Sequence, residues 1–324
     1  MTSIRTDLAL EATEIYESKE EKKIPGVIVD KDGDDDIRIT RVRIENETSA
    51  KVLGKPIGNY ITIEVPRLKE KDVDLMEDVS RVLAKEIISL VSLNDKSVIL
   101  VVGLGNWNIT PDSLGPKVVE KIMVTRHMTE YLPEQIDESV RSVCALSPGV
   151  LGITGIETSE IILGVVKRVK PDLVIAIDAL ASRRLERVNT TIQISDTGIN
   201  PGSGVGNNRK ELSEKTIGVP VIAIGVPTVV DAATMANDTI DMVIDNLIKE
   251  AEKETGFYEM LKNINREEKM ALINEVLSPH IGTLMVTPKE IDGFIEDISY
   301  VVADGLNISL HPGIHMDDVH RFIN

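Results

Sequence analysis

Leu173-Val-Ile-Ala-Ile-Asp178-Ala-Leu180 decides the fold. A continuous apolar run of this length reads as a central parallel strand covered on both faces. Ser97-Val-Ile-Leu-Val-Val-Gly-Leu-Gly105 has the same character, and Val219-Pro-Val-Ile-Ala-Ile-Gly-Val-Pro227 and Ser142 to Leu146 supply two further strands. Helical patterns separate them. Residues 113–127 carry Leu114, Val118, Val119, Ile122 and Met123 on one stripe, and helices are also expected over 158–170 and 229–252. Repeated strand–helix units imply an α/β fold with a central, mostly parallel sheet and right-handed crossovers. Ligands of such sheets bind outside the carboxyl ends of the strands.

Outward from this core, Ile37-Arg-Ile-Thr-Arg-Val-Arg-Ile44 and Asn59-Tyr-Ile-Thr-Ile-Glu-Val65 alternate apolar and polar residues, as antiparallel strands with one buried face do. Leu75, Met76, Val79, Val82, Leu83, Ile87 and Val91 keep a helical period between Lys69 and Leu93. Residues 1–24 are rich in Glu and Lys; they can form a helix, but nothing in them demands burial. Beyond Gly256 the pattern is helical, with Thr287-Pro-Lys-Glu290 as a start signal in which Thr287 is the N-cap. The expected organisation is one α/β unit: a core over about 97–252, an N-terminal β/α addition over 25–96 and C-terminal helices over 257–324.

The 324 residues include 53 acids and 36 bases, a net charge of −17. Clustered Lys and Arg are what a phosphate-tracking surface requires, so direct binding to nucleic acid or an anionic membrane is disfavoured and a basic protein partner suits the balance better. Cys144 is the only cysteine, which excludes an intrachain disulfide framework. No apolar stretch reaches the ~18–20 residues of a spanning helix, and Met1 to Leu8 has no signal core. A soluble intracellular protein is expected.

Two aspartates stand at the carboxyl ends of the apolar runs. Asp112 follows the first run after the loop Asn106 to Pro111, and it fits either a helix cap or a catalytic carboxylate. Asp178 interrupts an apolar strand, where an unpaired charge is costly. It must be paired, for which Arg183 and Arg184 are at hand, neutralised, or placed at the sheet edge.

Other motifs fail. Gly103-x-Gly105 lacks the third glycine of a dinucleotide fingerprint, and no Gly-Lys-Ser/Thr of a P-loop is present. Asp30-Lys-Asp-Gly-Asp-Asp-Asp36 has Asp35 and Arg41 where a calcium loop needs Gly and Glu, and reads as a solvated turn. His311 and His315 are separated by Pro312-Gly313 and form no zincin helix; no nucleophile elbow surrounds Cys144 or a serine. Gly202-Ser-Gly-Val-Gly206 reads as part of a flexible connection or a substrate-facing loop over 196–209.

Five stretches, taken in order, resemble the germination protease (spore protease) family of spore-forming bacteria. They are Arg5-Thr-Asp-Leu-Ala9, Gly103-Leu-Gly-Asn-Trp-Asn-Ile-Thr-Pro-Asp-Ser-Leu-Gly-Pro116, Ser147-Pro-Gly-Val-Leu-Gly-Ile-Thr-Gly155, Val174-Ile-Ala-Ile-Asp-Ala-Leu-Ala-Ser-Arg183 and Asn200-Pro-Gly-Ser-Gly-Val-Gly-Asn207. The resemblance extends to the fold of the hydrogenase-maturation proteases, which share a Gly-x-Gly-Asn strand end followed by an acid. It implies an endopeptidase of atypical aspartic type that starts degradation of small acid-soluble spore proteins in the spore core during germination. Its two carboxylates fall on Asp112 and Asp178.

The resemblance further implies a homotetramer made as a zymogen, with cleavage after Glu in contexts like Thr-Glu-Ile/Phe-Ala. Thr6-Asp7-Leu8-Ala9 and Thr13-Glu14-Ile15-Tyr16 approximate that context. Self-processing is therefore expected between Asp7 and Leu8, leaving a 1–7 pro-segment and an 8–324 protease domain, with Glu14–Ile15 as the weaker site. Arg183 and Arg184 are the candidates for binding the substrate acid. No cofactor is expected on this reading. The alternatives are a divalent-metal-dependent peptidase on the same carboxylates, as in the hydrogenase-maturation relatives, and a non-catalytic module that binds basic spore proteins.

Overall fold

The computed structural model describes residues 6–20, 24–137, 139–202, 210–251, 256–263, 265–281 and 284–318. Among the described residues nine strands form one sheet: β1 (Val27–Gly33), β2 (Arg38–Ile44), β3 (Gly58–Glu64), β4 (Val98–Gly103), β5 (Ser142–Leu146), β6 (Leu173–Ser182), β7 (Thr191–Ser195), β8 (Val221–Asp231) and β9 (Met285–Val286). Their order is β1-β2-β3-β7-β8-β6-β4-β5, with β9 paired to β8. The pairs β5–β4, β4–β6 and β6–β8 are parallel, whereas β1–β2, β2–β3, β3–β7, β7–β8 and β8–β9 are antiparallel. The architecture is α/β as expected, but the sheet is mixed. Its parallel part ends at β8 because β7 enters reversed and couples the N-terminal strands to the core.

Alternation along each strand divides the core between the two faces. On the first face Ile99, Val101, Ile175, Ile177, Ile192 and Ile224 pack with the helices Val73–Leu90 and Ile291–Leu310. On the second, Leu100, Val102, Val174 and Ala176 pack with Ile162 and Val166 of the helix Thr158–Val169. A separate cluster on that second face joins Ala9 and Ile24 to Val42, Ile44 and Tyr60 of β2 and β3. Full burial of each such aliphatic side chain contributes about 1.5–3 kcal/mol.

Several expectations change in detail. The acidic stretch from Asp30 begins inside β1, an exposed edge strand, and only residues 34–36 turn. The helix expected over 113–127 stops at Glu120 and a second one runs Arg126–Tyr131. Thr287 does not cap a helix: its hydroxyl donates to the Thr228 carbonyl at 2.8 Å, and the last helix begins at Ile291. The N-terminal segment is the largest departure. Leu8 and Ala9 are fully buried, and Glu11 is nearly so, ahead of and within the helix Ala9–Glu20.

Candidate active site

β4 ends at Gly103, and the next residue, Leu104, donates its N–H to the Ile177 carbonyl of β6 at 2.8 Å. Beyond that bond the chain leaves the sheet through Gly105, whose φ of +115° favours glycine. A Cβ at Gly105 would stand 2.0 Å from the Asp112 carbonyl oxygen and 3.3 Å from its Oδ1. The loop closes on itself because Asn106 N–H donates to the Asp112 carbonyl at 2.9 Å and Asp112 N–H to the Ile109 carbonyl at 2.8 Å. Thr228 Oγ1 of β8 donates to the Pro111 carbonyl at 2.7 Å, clamping the turn to the sheet.

The helix Leu114–Glu120 starts directly on the strand ends. A Cβ at Gly115 would meet the Leu104 carbonyl at 2.3 Å and the Ile177 carbonyl at 2.7 Å. The N-cap position belongs to Ser113, so Asp112 is not the cap, and the Ser113 hydroxyl donates to Thr110 O instead.

Asp178 is the residue after Ile177, and its side chain is buried. Oδ1 accepts from the Ala179 N–H at 3.0 Å. Asp178 thus stands one residue beyond the Leu104–Ile177 bond, within β6, which continues to Ser182, and the backbone of Asp112 folds back against Gly105, the residue after Leu104. Asp178 also lies in a register row with Gly225 of β8 and Gln193 of β7. Residues in one such row share a face, and this is the second face, between its two apolar clusters. Exposed Trp107 and Ile109 after β4, and Leu151, Ile153 and Ile156 in and after the short helix Leu151–Thr154 that follows β5, stand on the segments that leave the same end of the sheet.

Both arginines are held by acids of this chain. Arg183 pairs with Asp238 through Nε at 3.0 Å and Nη2 at 2.9 Å, and Arg184 reaches Glu186 at 3.2 Å and Glu14 at 3.7 Å. Their backbone amides both donate to the Glu11 carboxylate, at 2.7 and 3.1 Å.

Asp7 and Leu8 lie within the fold. Asp7 N–H donates to Ala181 O at 3.0 Å, and Ala181 N–H donates to Asp7 Oδ2 at 2.9 Å. Lys55 Nζ and Gln193 Nε2 donate to the Asp7 carbonyl at 2.7 and 3.3 Å. Burial lowers the pKa of the Lys55 ammonium, while the nearby Asp7 and Glu11 carboxylates oppose that shift. Buried Arg187 binds Glu11 at 3.3 Å and Glu14 and Glu64 at 2.8 Å each. Burial alone would raise the Glu14 pKa, but the Arg187 hydrogen bond and charge outweigh it and hold Glu14 below the ordinary glutamate range.

Lys55, Arg187 and Gln193 are absent from the sequence-based candidates. Gln193 is the central residue of Thr191-Ile-Gln-Ile-Ser195, which is buried throughout. Lys55 and Arg187 carry no local mark. Most of the glycine-rich loop singled out at 202–206 lies outside the described residues. Among the described residues no three His, Cys, Asp or Glu side chains are grouped to hold a metal ion, and no helix is long and apolar enough to cross a membrane.

Comparison with known proteins covers the whole chain. The pattern of the germination protease family matches residues 5–256 and 246–323. The germination protease of Clostridium tetani is 58% identical over 322 residues, 99% of this chain and 100% of the relative. That of Caldanaerobacter subterraneus subsp. tengcongensis is 58% identical over 321 residues, 99% and 98% of the two chains. A Bacillus thuringiensis germination protease is 48% identical over 356 residues, covering 99% and 97%. The chain belongs to the germination protease family, and so to the peptidases.

Proposed function

We propose that the protein is the endopeptidase that begins degradation of small acid-soluble spore proteins in the germinating spore core, cutting after Glu or Asp with Asp112 and Asp178. The observation that carries this reading is that both aspartates are held at the Leu104–Ile177 bond, Asp178 as the residue after Ile177 and Asp112 by its backbone against Gly105. Two neighbouring carboxylates do not both ionise readily, so they share a proton and titrate as a pair. The ionised member takes a proton from water as the water oxygen attacks the peptide carbonyl. The protonated member polarises that carbonyl and then gives its proton to the departing amine.

The same reading makes the chain a zymogen that cuts itself between Asp7 and Leu8, separating residues 1–7 from a single domain over 8–324. The fold is then that of the hydrogenase-maturation proteases, with added strands and helices. Assembly as a homotetramer is supported by exposed apolar residues on the helices Ala232–Glu250 and Arg266–Ile281, among them Met242, Val243, Leu272 and Val276.

Asp112→Asn and Asp178→Asn test the function. Each is expected to abolish cleavage of a basic spore-protein substrate and of the chain itself, with the melting transition retained. Undiminished cleavage by either variant rejects the pair. A wild-type chain that binds such substrates for hours without fragmenting them is a binding module instead.

A further inference from the structure

Both polar atoms of the Asp7–Leu8 peptide bond are hydrogen-bonded, its N–H donating to Thr6 Oγ1 at 3.1 Å. The Asp7 carbonyl receives hydrogen bonds from Lys55 Nζ at 2.7 Å and Gln193 Nε2 at 3.3 Å. The other end of the same Gln193 amide, Oε1, accepts from the Ala9 N–H at 2.7 Å. Gln193 therefore spans the Asp7–Leu8 bond, gripping one residue before it and one beyond. The Asp7 side chain is read by backbone: Ala181 N–H donates to Oδ2 at 2.9 Å while Ala181 O accepts from Asp7 N–H at 3.0 Å. This is the bonding of an antiparallel pair in which a carboxylate stands in for a carbonyl.

Two of the holding groups, Ala181 and Gln193, belong to the same part of the sheet as the carboxylate pair, and Lys55 reaches in from the turn before β3. Ala181 is three residues after Asp178 on β6. Gln193 shares the register row of Asp178, with Gly225 between them and the Leu180 side chain lying over that glycine. The Ala9 side chain is fully enclosed by Ile44, Tyr60 and their neighbours, which leaves space there for a small residue only.

We infer that Lys55 and Gln193 are the substrate-carbonyl donors of the protease, that the Ala181 amide and Lys55 together read the acidic residue before the cut, and that Thr6–Ala9 occupies the substrate seat in the uncut chain. The inference rests on the function proposed above. When water adds to the carbonyl carbon, the C=O π pair moves onto oxygen, and the water proton goes to the ionised carboxylate. A cation and an amide N–H already aimed at that oxygen stabilise the charge as it forms, which is where such donors accelerate the step. Collapse restores the C=O, breaks the C–N bond and passes the other carboxyl proton to the leaving amine. A side-chain carboxylate beside Lys55 balances its half-buried charge, which a neutral residue does not.

The test uses the full chain and two synthetic peptides, Thr-Glu-Ile-Ala and Thr-Gln-Ile-Ala, each within a longer soluble sequence. Wild type is expected to cut itself to a Leu8 N-terminus and to prefer the Glu peptide. Lys55→Met is expected to lower kcat by about 10²–10³-fold, as loss of an oxyanion donor does, and to reduce the Glu/Gln ratio of kcat/KM at least tenfold, on the order of the loss of one charge-assisted contact. Lys55→Arg should recover much of the ratio. Gln193→Leu should lower kcat on both peptides and leave the ratio near wild type.

If Lys55→Met melts lower, the Glu/Gln ratio of its remaining activity still decides, because a ratio does not depend on the active fraction. An unchanged ratio in Lys55→Met, or wild-type kcat in Gln193→Leu, overturns the inference while leaving the protease reading intact. A wild-type chain that cuts neither itself nor the Glu peptide overturns the protease reading itself.

Discussion

Leu104 donates to Ile177 at 2.8 Å just past the end of β4, and this bond is the common anchor of Asp112 and Asp178. Asp178 follows Ile177 directly, and the Asp112 loop folds back onto Gly105, the residue after Leu104. The backbone of both residues is therefore set by contacts that leave no room for a side chain at Gly105 or Gly115.

Gly105→Ala is accordingly expected to damage activity out of proportion to stability. The new Cβ would fall 2.0 Å from the Asp112 carbonyl at a φ of +115°, so the loop must shift. A displacement of about 1 Å costs on the order of 10²-fold in rate, alongside a destabilisation of about 1 kcal/mol or more. Gly218→Ala is the control. Its φ is +81° but nothing lies within 4 Å of its Cβ, so strain is added without moving the site. Peptide cleavage rates and melting curves of both variants check this; comparable activity loss in the two would sink the argument.

Arg187→Met addresses the N-terminal helix. Removing the guanidinium leaves Glu11, Glu14 and Glu64 facing one another around a buried gap, a change that typically costs about 3–5 kcal/mol. The helix Ala9–Glu20 is expected to loosen, exposing Glu14–Ile15, so that N-terminal sequencing of processed protein finds Ile15 as well as Leu8. Acid should act in the same direction on wild type. The depressed Glu14 pKa means its pairing is fully present above the ordinary glutamate pKa and is lost as pH falls through the lower, folded value. Amide exchange of residues 9–20 measured down this range should speed up in wild type and be fast throughout in Arg187→Met.

The parallel strands were legible because burial on both faces writes an unbroken apolar run, as in Leu173 to Ile177. β7 was not, since its five residues Thr191 to Ser195 alternate two Ile with polar side chains that are buried by neighbours rather than by their own chemistry. The N-terminal seat was hidden for a different reason. Asp7 meets Lys55, Ala181 and Gln193 at separations of 48, 174 and 186 residues, which no local pattern records. Nor does nearness in sequence reveal a partner: Arg183 lies five residues after Asp178, just past the end of β6, and its guanidinium is held by Asp238, 55 residues further on.

Exhaustive chelation should leave cleavage by the processed enzyme unchanged, because a shared-proton pair needs no ion. Peptide hydrolysis before and after dialysis against a strong chelator measures this. Activity lost on chelation and restored by a divalent cation would transfer the mechanism to a metal held by the same carboxylates.

His311 supplies an acid sensitivity outside the site. It is fully enclosed, with Nε2 3.3 Å from the Met123 carbonyl. Burial and the nearby Arg141 charge pull its pKa down to about 4 against the partial opposition of that carbonyl. Above the ordinary histidine pKa the ring is neutral whether the chain is folded or not, and it imposes no penalty. As pH falls toward about 4 the unfolded chain takes up a proton that the folded chain refuses, so stability declines by about 1.4 kcal/mol per pH unit from this group. His311→Asn removes the titration. The variant should start less stable near neutral pH, yet its urea midpoint should fall less steeply than wild type between about pH 6.5 and pH 4. Parallel midpoint-versus-pH curves for the two proteins would mean that the ring is already protonated in the fold.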